Sequence, residues 1–246
     1  MHSHFVVSEE EKILIKLKYQ ILRSLGSGSF GRVFLVYKED VGVLAAKVMK
    51  LKDFDSIEYQ AGEKLGNNDK NPFSLKYKSP IIYERYVVLQ MEYANLGNLD
   101  KIINKNVDLP VPLIRAIMKQ ILQGLLFMHK NKLIHRDIKG QNILLHSPLG
   151  SGRVILKIAD LGIAKAQKDT KYSTIMTVAG TIPFMSPELL LGNDDGAIIA
   201  DNKVDIWSAG IILHQLVAHS FPFKNTNLRA INTFMFSKRL DRPANI

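Results

Sequence analysis

The sequence predicts an α+β chain in two lobes, a β-rich first third followed by a helical remainder. Three observations carry this. Short strand-like runs separated by turn-formers fill the chain up to about residue 91. From Leu113 onward the apolar residues instead fall on one helical face, at Leu113, Ile117, Ile121, Leu125 and Met128. Over 246 residues, 46% hydrophobic and 23% charged side chains are enough to bury a large core.

Residues 1–16 read as an N-terminal extension; its opening, MHSHFVVSEEEK, turns acidic where a signal peptide would need its apolar region. Strands are expected over Lys18 to Leu25, Val33 to Tyr37 and Val43 to Met49, with the turn Lys38-Glu39-Asp40-Val41-Gly42 between the last two. Ile57, Ala61 and Leu65 recur every four residues and predict a short helix, ended by the turn-formers of Asn67 to Pro72. Phe73 to Tyr77 and Arg85 to Met91 resume strand character. The two lobes are expected to join near Glu92 to Leu99. Pro112 suits the first turn of the long helix that follows, where a missing N–H costs nothing.

Composition excludes several classes of function. There are no cysteines, hence no disulfide framework, thiol nucleophile or Cys-ligated zinc, which fits a reducing compartment. No stretch approaches 18 uninterrupted apolar residues, so no membrane span is expected and a cytoplasmic location is, with the nucleus left open. The formal charge of +10, from 33 Lys plus Arg against 23 Asp plus Glu, is scattered rather than interleaved with aromatics, so it reads as a solvated basic surface and not a nucleic-acid site.

Gly26-Ser27-Gly28-Ser29-Phe30-Gly31 is the first motif with chemistry. Arg32 to Tyr37 reads as a strand, whereas a dinucleotide fold needs a helix to open there, and a Walker loop needs Lys then Ser or Thr where Arg32 and Val33 stand. A glycine-rich strand-turn-strand remains, whose bare backbone N–H groups can approach phosphate closely. Lys47 follows nineteen residues after Gly28 inside an apolar strand, where an ammonium needs an anionic partner. Glu58 on the next helix can supply one, with Glu63 as competitor. The segment Ile134-His135-Arg136-Asp137-Ile138-Lys139-Gly140-Gln141-Asn142-Ile143 crowds polar groups between apolar ends, which a structural loop does not need. Asp160-Leu161-Gly162 comes eighteen residues after Asn142 and adds a carboxylate able to share a divalent metal with it.

Together these motifs resemble a eukaryotic protein kinase over residues 17–246, in family order and ending in the variant Met185-Ser186-Pro187-Glu188. The resemblance implies the two-lobed kinase fold, with an N-lobe over about 17–91, a hinge over about 92–99 and a C-lobe from about 100. It implies that Gly26, Gly28 and Gly31 cover the ATP phosphates while Lys47 binds them and pairs with Glu58. Asp137 takes the proton of the substrate hydroxyl, Lys139 neutralises the γ-phosphate, and Asn142 and Asp160 hold Mg²⁺ or Mn²⁺. Leu25, Val33, Ala45 and Leu144 would enclose adenine, Met91 would stand behind it, and the backbone of Glu92 and Ala94 would hydrogen-bond it. Lys139 and Thr181 match the serine/threonine class, so the implied partners are proteins carrying Ser or Thr. Gly140 and the Met-Ser-Pro-Glu ending are similar to NIMA-related and Ste-type kinases. Asp205 in Asp205-Ile206-Trp207 resembles the buried Asp that anchors the catalytic loop. Thr177, with Thr174 as alternative, resembles the activation-loop site that an upstream kinase or a second copy phosphorylates.

Four departures stand out. Only 11 residues separate Lys47 from Glu58, which shortens the intervening helix, and Gly62 takes a place that is usually large and apolar. Leu161 replaces the usual Phe. The family continues past Leu240-Asp241-Arg242-Pro243 with about two more helices, so the C-lobe is expected to be incomplete after Ile246, leaving Glu188 and the apolar faces of Ile206 to Val217 uncovered. The alternative function is therefore a pseudokinase or truncated regulatory partner that binds nucleotide without turnover.

Overall fold

The computed structural model describes residues 7–28, 31–54, 56–66, 71–161, 165–166, 174–176, 180–191, 198–224 and 226–236. They belong to two compact units, one of residues 1–67 with 75–93, the other of 68–74 with 94–246.

The first unit opens with helix α1, Glu9–Lys16. Ser8 caps it reciprocally: its hydroxyl accepts the Glu11 N–H at 3.3 Å while the Glu11 carboxylate accepts the Ser8 N–H at 2.8 Å. Three glutamates in the first turn and Lys16 in the last complement the helix dipole. Residues set apart in the sequence as an extension thus form a helix, and its Ile13 and Leu14 are core residues. Lys18 then turns the chain with a φ of 64°.

Strands β1 (Gln20–Gly28), β2 (Gly31–Lys38) and β3 (Gly42–Lys50) follow, then helix α2 (Ser56–Gly66) and strands β4 (Ile81–Tyr83) and β5 (Tyr86–Met91). The five strands form an antiparallel sheet in the order β1-β2-β3-β5-β4. Its register sorts the side chains by period two. Val33, Lys47 and Leu89 are cross-strand partners, as are Leu35, Ala45 and Met91, so all six share one face. The opposite face carries Phe34, Val36, Leu44, Ala46, Val48, Tyr86 and Val88, and α1 closes it with Ile13 and Leu14. An apolar back face of this size would otherwise stand in water.

Two expectations change here. Phe73 to Tyr77 is not a strand: the segment makes only single bridges, with Ser74 paired to Ile158 and Tyr77 to Met91, so its two ends have different partners and no continuous ladder forms. Strand β4 is unanticipated, since its two-residue turn to β5 uses Glu84, at φ 51°, where a glycine or asparagine would have signalled a hairpin.

In the second unit, helices α3 (Asp100–Ile103) and α4 (Val111–Lys130) precede the short strands β6 (Leu133–Ile134), β7 (Ile143–His146), β8 (Ile155–Ile158), β9 (Lys165–Ala166) and β10 (Thr174–Met176). Helix α5 (Pro187–Leu191), strand β11 (Ile198–Ala200) and helices α6 (Lys203–Ala218) and α7 (Leu228–Phe236) complete it. The strands pair antiparallel as β6 with β9, β7 with β8, and β10 with β11.

Pro112 lies in the first turn of α4, as its missing N–H allows. Of the face predicted for this helix, Ile117, Ile121, Leu125 and Met128 are buried, but Leu113 is 45% exposed because the first turn runs past the core. By length and composition alone α4 could cross a membrane; its apolar stripe is spent on the core of this unit. Gly124 lets it approach the sheet, since a Cβ there would stand 2.7 Å from the Ile158 side chain. On α6, Ile206 and Leu213 are exposed while Val204, Ala209, Ile211, Ile212 and Leu216 are buried. Leu161 is buried as an apolar anchor.

Candidate active site

In the first unit, sheet register places the candidate residues. Val33, Ala45, Lys47 and Met91 occupy one face, and Lys47 is only 9% exposed among Val33, Leu89 and their neighbours. Leu25 stands at a bulge in β1, between the pairs Ser24 with Phe34 and Gly26 with Val33. The three glycines differ in kind. At Gly31, with φ 135°, a Cβ would run into the carbonyl oxygen of Val48, so the sheet itself demands glycine. At Gly26 and Gly28 a Cβ would meet nothing within 4 Å, so the fold makes no steric demand there and leaves room for something to approach the backbone. Glu92 ties its backbone and carboxylate to Lys76, donating its N–H to the Lys76 carbonyl at 2.9 Å and accepting the Lys76 N–H at 2.7 Å. Glu58 lies on α2, with its side chain outside the described residues.

In the second unit the arrangement depends on one buried carboxylate. Asp205, fully buried in the first turn of α6, accepts the His135 N–H at 3.0 Å and the His129 ring N–H at 2.7 Å on Oδ2. Its Oδ1 accepts the Arg136 N–H at 2.8 Å. These bonds hold Arg136 at φ 69°, a conformation a non-glycine residue keeps only when its surroundings impose it. His135 is itself bonded at both ring nitrogens: Nε2–H donates to the Ala159 carbonyl at 3.0 Å and Nδ1 accepts the Asp137 N–H at 3.2 Å. The loop backbone leading into Asp137 is therefore fixed from beneath.

Asp137 is presented above this foundation. Its Oδ1 accepts the Thr181 hydroxyl at 2.7 Å, and its Oδ2 accepts Lys139 Nζ at 2.8 Å and Asn142 Nδ2 at 3.1 Å. Lys139 Nζ also donates to Thr181 Oγ1 at 2.8 Å, closing a ring of three side chains. Burial pushes the Asp137 carboxyl upward, but the hydrogen bonds from Lys139 and Thr181 and the Lys139 charge outweigh it and hold the pKa below the usual aspartate range. Thr181 reaches the site because its segment is pinned, with Ser208 of α6 donating to the Phe184 carbonyl at 2.7 Å.

The metal candidates are oxygen donors. Asn142 gives its amide nitrogen to the Asp137 carbonyl at 2.8 Å as well as to the carboxylate, leaving Oδ1 for a cation. Asp160 is half-buried at φ 62°, just past Ala159, whose N–H donates to the Asn142 carbonyl at 2.9 Å. Among the described residues no three His, Asp or Glu side chains converge to cage a metal alone. The set therefore suits a hard divalent ion that completes its shell with water and phosphate oxygen. Leu144 lies on β7, bridged to Asn98, and the Ala94 backbone takes part in no hydrogen bond among the described residues. Thr177 lies outside the described residues, and Thr174 is on β10 with its side chain outside them.

Sequence reasoning missed His129, Asp100 and α1. The capping pattern Ser8 to Glu11 ahead of Ile13-Leu14 could have found the helix; nothing local marks the other two.

Comparison with known proteins agrees in extent with this arrangement. The protein kinase domain model matches residues 19–243. The chain is 33% identical over 226 residues to the probable serine/threonine-protein kinase nek3 of Dictyostelium discoideum, covering 87% of this chain and 19% of that protein. It is 31% identical over 222 residues to the serine/threonine-protein kinase SBK1 of Danio rerio, covering 87% and 54%. To the dual specificity mitogen-activated protein kinase kinase 1 of Dictyostelium discoideum it is 33% identical over 208 residues, covering 83% and 30%. The chain thus spans about half or less of the length of these relatives.

Proposed function

Because the chain belongs to the protein kinase domain family, we propose that it transfers the γ-phosphate of ATP to serine and threonine hydroxyls of protein substrates. The observation that carries this is the ring of Asp137, Lys139 and Thr181, an ionised carboxylate held beside a lysine.

Asp137 orients the substrate hydroxyl and accepts its proton as the oxygen attacks the γ-phosphorus and the bond to the β-phosphate oxygen breaks. Lys139 balances the charge that spreads over the transferring phosphoryl oxygens, and Thr181 keeps Asp137 and Lys139 in mutual register. Gly26, Gly28 and Gly31 offer backbone N–H groups to the phosphates. Lys47 binds the α- and β-phosphates with Glu58 as its partner, Leu25, Val33, Ala45 and Leu144 enclose adenine, Met91 stands behind it, and Glu92 and Ala94 hydrogen-bond it. Asn142 and Asp160 would hold a divalent cation, Mg²⁺ or Mn²⁺, which would supply positive charge to the phosphates. Thr177 or Thr174 is the activating phosphorylation site, modified by an upstream kinase or a second copy, and the site of action is cytoplasmic.

The test is labelled ATP with Mg²⁺ and a generic basic protein substrate, with Asp137→Asn as control. Label on Ser and Thr with the parent and a loss of about a thousandfold or more with Asp137→Asn is expected; equal incorporation by both would falsify the assignment.

A further inference from the structure

Gly140 poses a question the mechanism does not answer. Its φ is not in the left-handed region, so its backbone conformation makes no demand for glycine. Yet a Cβ at this position would run into Oδ1 of Asp100, with Cγ of Asp100 at 3.1 Å and its N at 3.2 Å. What requires glycine here is the carboxylate seated on it.

Asp100 opens α3, directly after a segment stitched to the strand that follows the catalytic loop. The Leu96 N–H donates to the Leu145 carbonyl at 3.0 Å and the Leu145 N–H to the Gly97 carbonyl at 2.7 Å. The Leu99 N–H is shared between the carbonyls of Gly140 at 3.1 Å and Ile143 at 2.8 Å. The Asp100 carboxyl is half-buried, and burial raises its pKa against the opposing influence of the Gln141 amide and the Lys139 charge. On either side of Gly140 and Gln141 stand the two residues whose amine and amide grip Asp137, Lys139 and Asn142.

We propose that Asp100 is a positioning residue for phosphoryl transfer: its carboxylate, seated in the Cβ-free space over Gly140, fixes the turn 139–142 and through it the placement of Lys139 and Asn142. This rests on the kinase reading of the site. Asp100 touches no reacting atom in this scheme; displacement of the two neighbouring groups by a fraction of an ångström is enough to slow transfer.

The test is a double-mutant cycle of Gly140→Ala with Asp100→Ala, read as kcat and KM for ATP and peptide and, separately, as urea unfolding. Gly140→Ala is expected to lower kcat about tenfold or more with little change in KM. In the Asp100→Ala background the same substitution is expected to cost less than about twofold, because the space has been vacated. Asp100→Asn, which keeps the shape of the side chain over Gly140, is expected to retain kcat where Asp100→Ala loses it. Equal losses from Gly140→Ala in both backgrounds, or no loss in either, would overturn the proposal, as would an Asn variant as slow as the Ala variant. A parent without phosphate transfer defeats the kinase reading instead; the interlock is then judged on unfolding alone, where additive effects of the two substitutions reject it.

Discussion

The two units position chemistry by different physical means. In the first, register alone decides: once β2, β3 and β5 pair, Val33, Lys47 and Leu89 must share a face, and so must Ala45 and Met91. Every contact needed is backbone to backbone between neighbouring strands. In the second unit the candidate residues lie in loops, and side chains hold the backbone: Asp205 grips His135 and Arg136 from 70 and 69 positions away, and Thr181 reaches Asp137 across 44. A ladder spreads its stability over many bonds and tolerates the loss of one. A buried carboxylate serving three donors does not, since removing it leaves each of them unsatisfied.

The sharpest way to break this contrast is Asp205→Ala. It should destabilise the second unit by on the order of 3–5 kcal/mol and lower kcat about a hundredfold or more, because the backbone leading into Asp137 loses its support. Urea denaturation and steady-state kinetics check this. A variant that keeps full kcat would show that the loop holds its conformation unaided.

Leu14→Ala tests the other unit. Fully buried under the sheet, this residue should cost about 2–5 kcal/mol in unfolding free energy. Because α1 lies on the face opposite Lys47, kcat below the melting transition should stay within about twofold of the parent. A large fall in kcat in folded protein would mean that the two faces of the sheet are coupled.

Thr181→Val acts on charge. Asp137 is held below the ordinary aspartate value of 3.8 partly by this hydroxyl, so the base is ionised at neutral pH and protonates only as pH falls through its lowered pKa. The stability this contributes is complete above the ordinary aspartate pKa and is lost on further acidification. Without the hydroxyl the pKa rises, and the acid limb of kcat/KM should move to higher pH. A limb that stays in place would assign it to another group.

The smallest expected effect is Ser8→Ala, about 1 kcal/mol from loss of the cap. It should appear in the unfolding of the sheet unit and leave kcat untouched. A stabilising or neutral result would mean that Ile13 and Leu14 hold α1 without its cap.

Much of the candidate site was legible because its signals are local. Alternation within strands, glycines in a tight turn, and the run from His135 to Asn142 are each contained within a few residues, and local chemistry constrains them. Even so, the strand expected over Phe73 to Tyr77 proved to be two single bridges to different partners, Ser74 to Ile158 and Tyr77 to Met91, which no pattern within the run discloses. The sequence by itself determined the order of the motifs, the placing of Lys47 within an apolar strand, and the residue types at the site. Tertiary structure alone decided that α1 is the lid of an apolar sheet face, that His129 bonds the buried Asp205, and that Gly140 is glycine because of Asp100. Each of these depends on two groups distant in sequence meeting in space: Asp100 and Gly140 lie forty positions apart, and no pattern within either segment encodes the other.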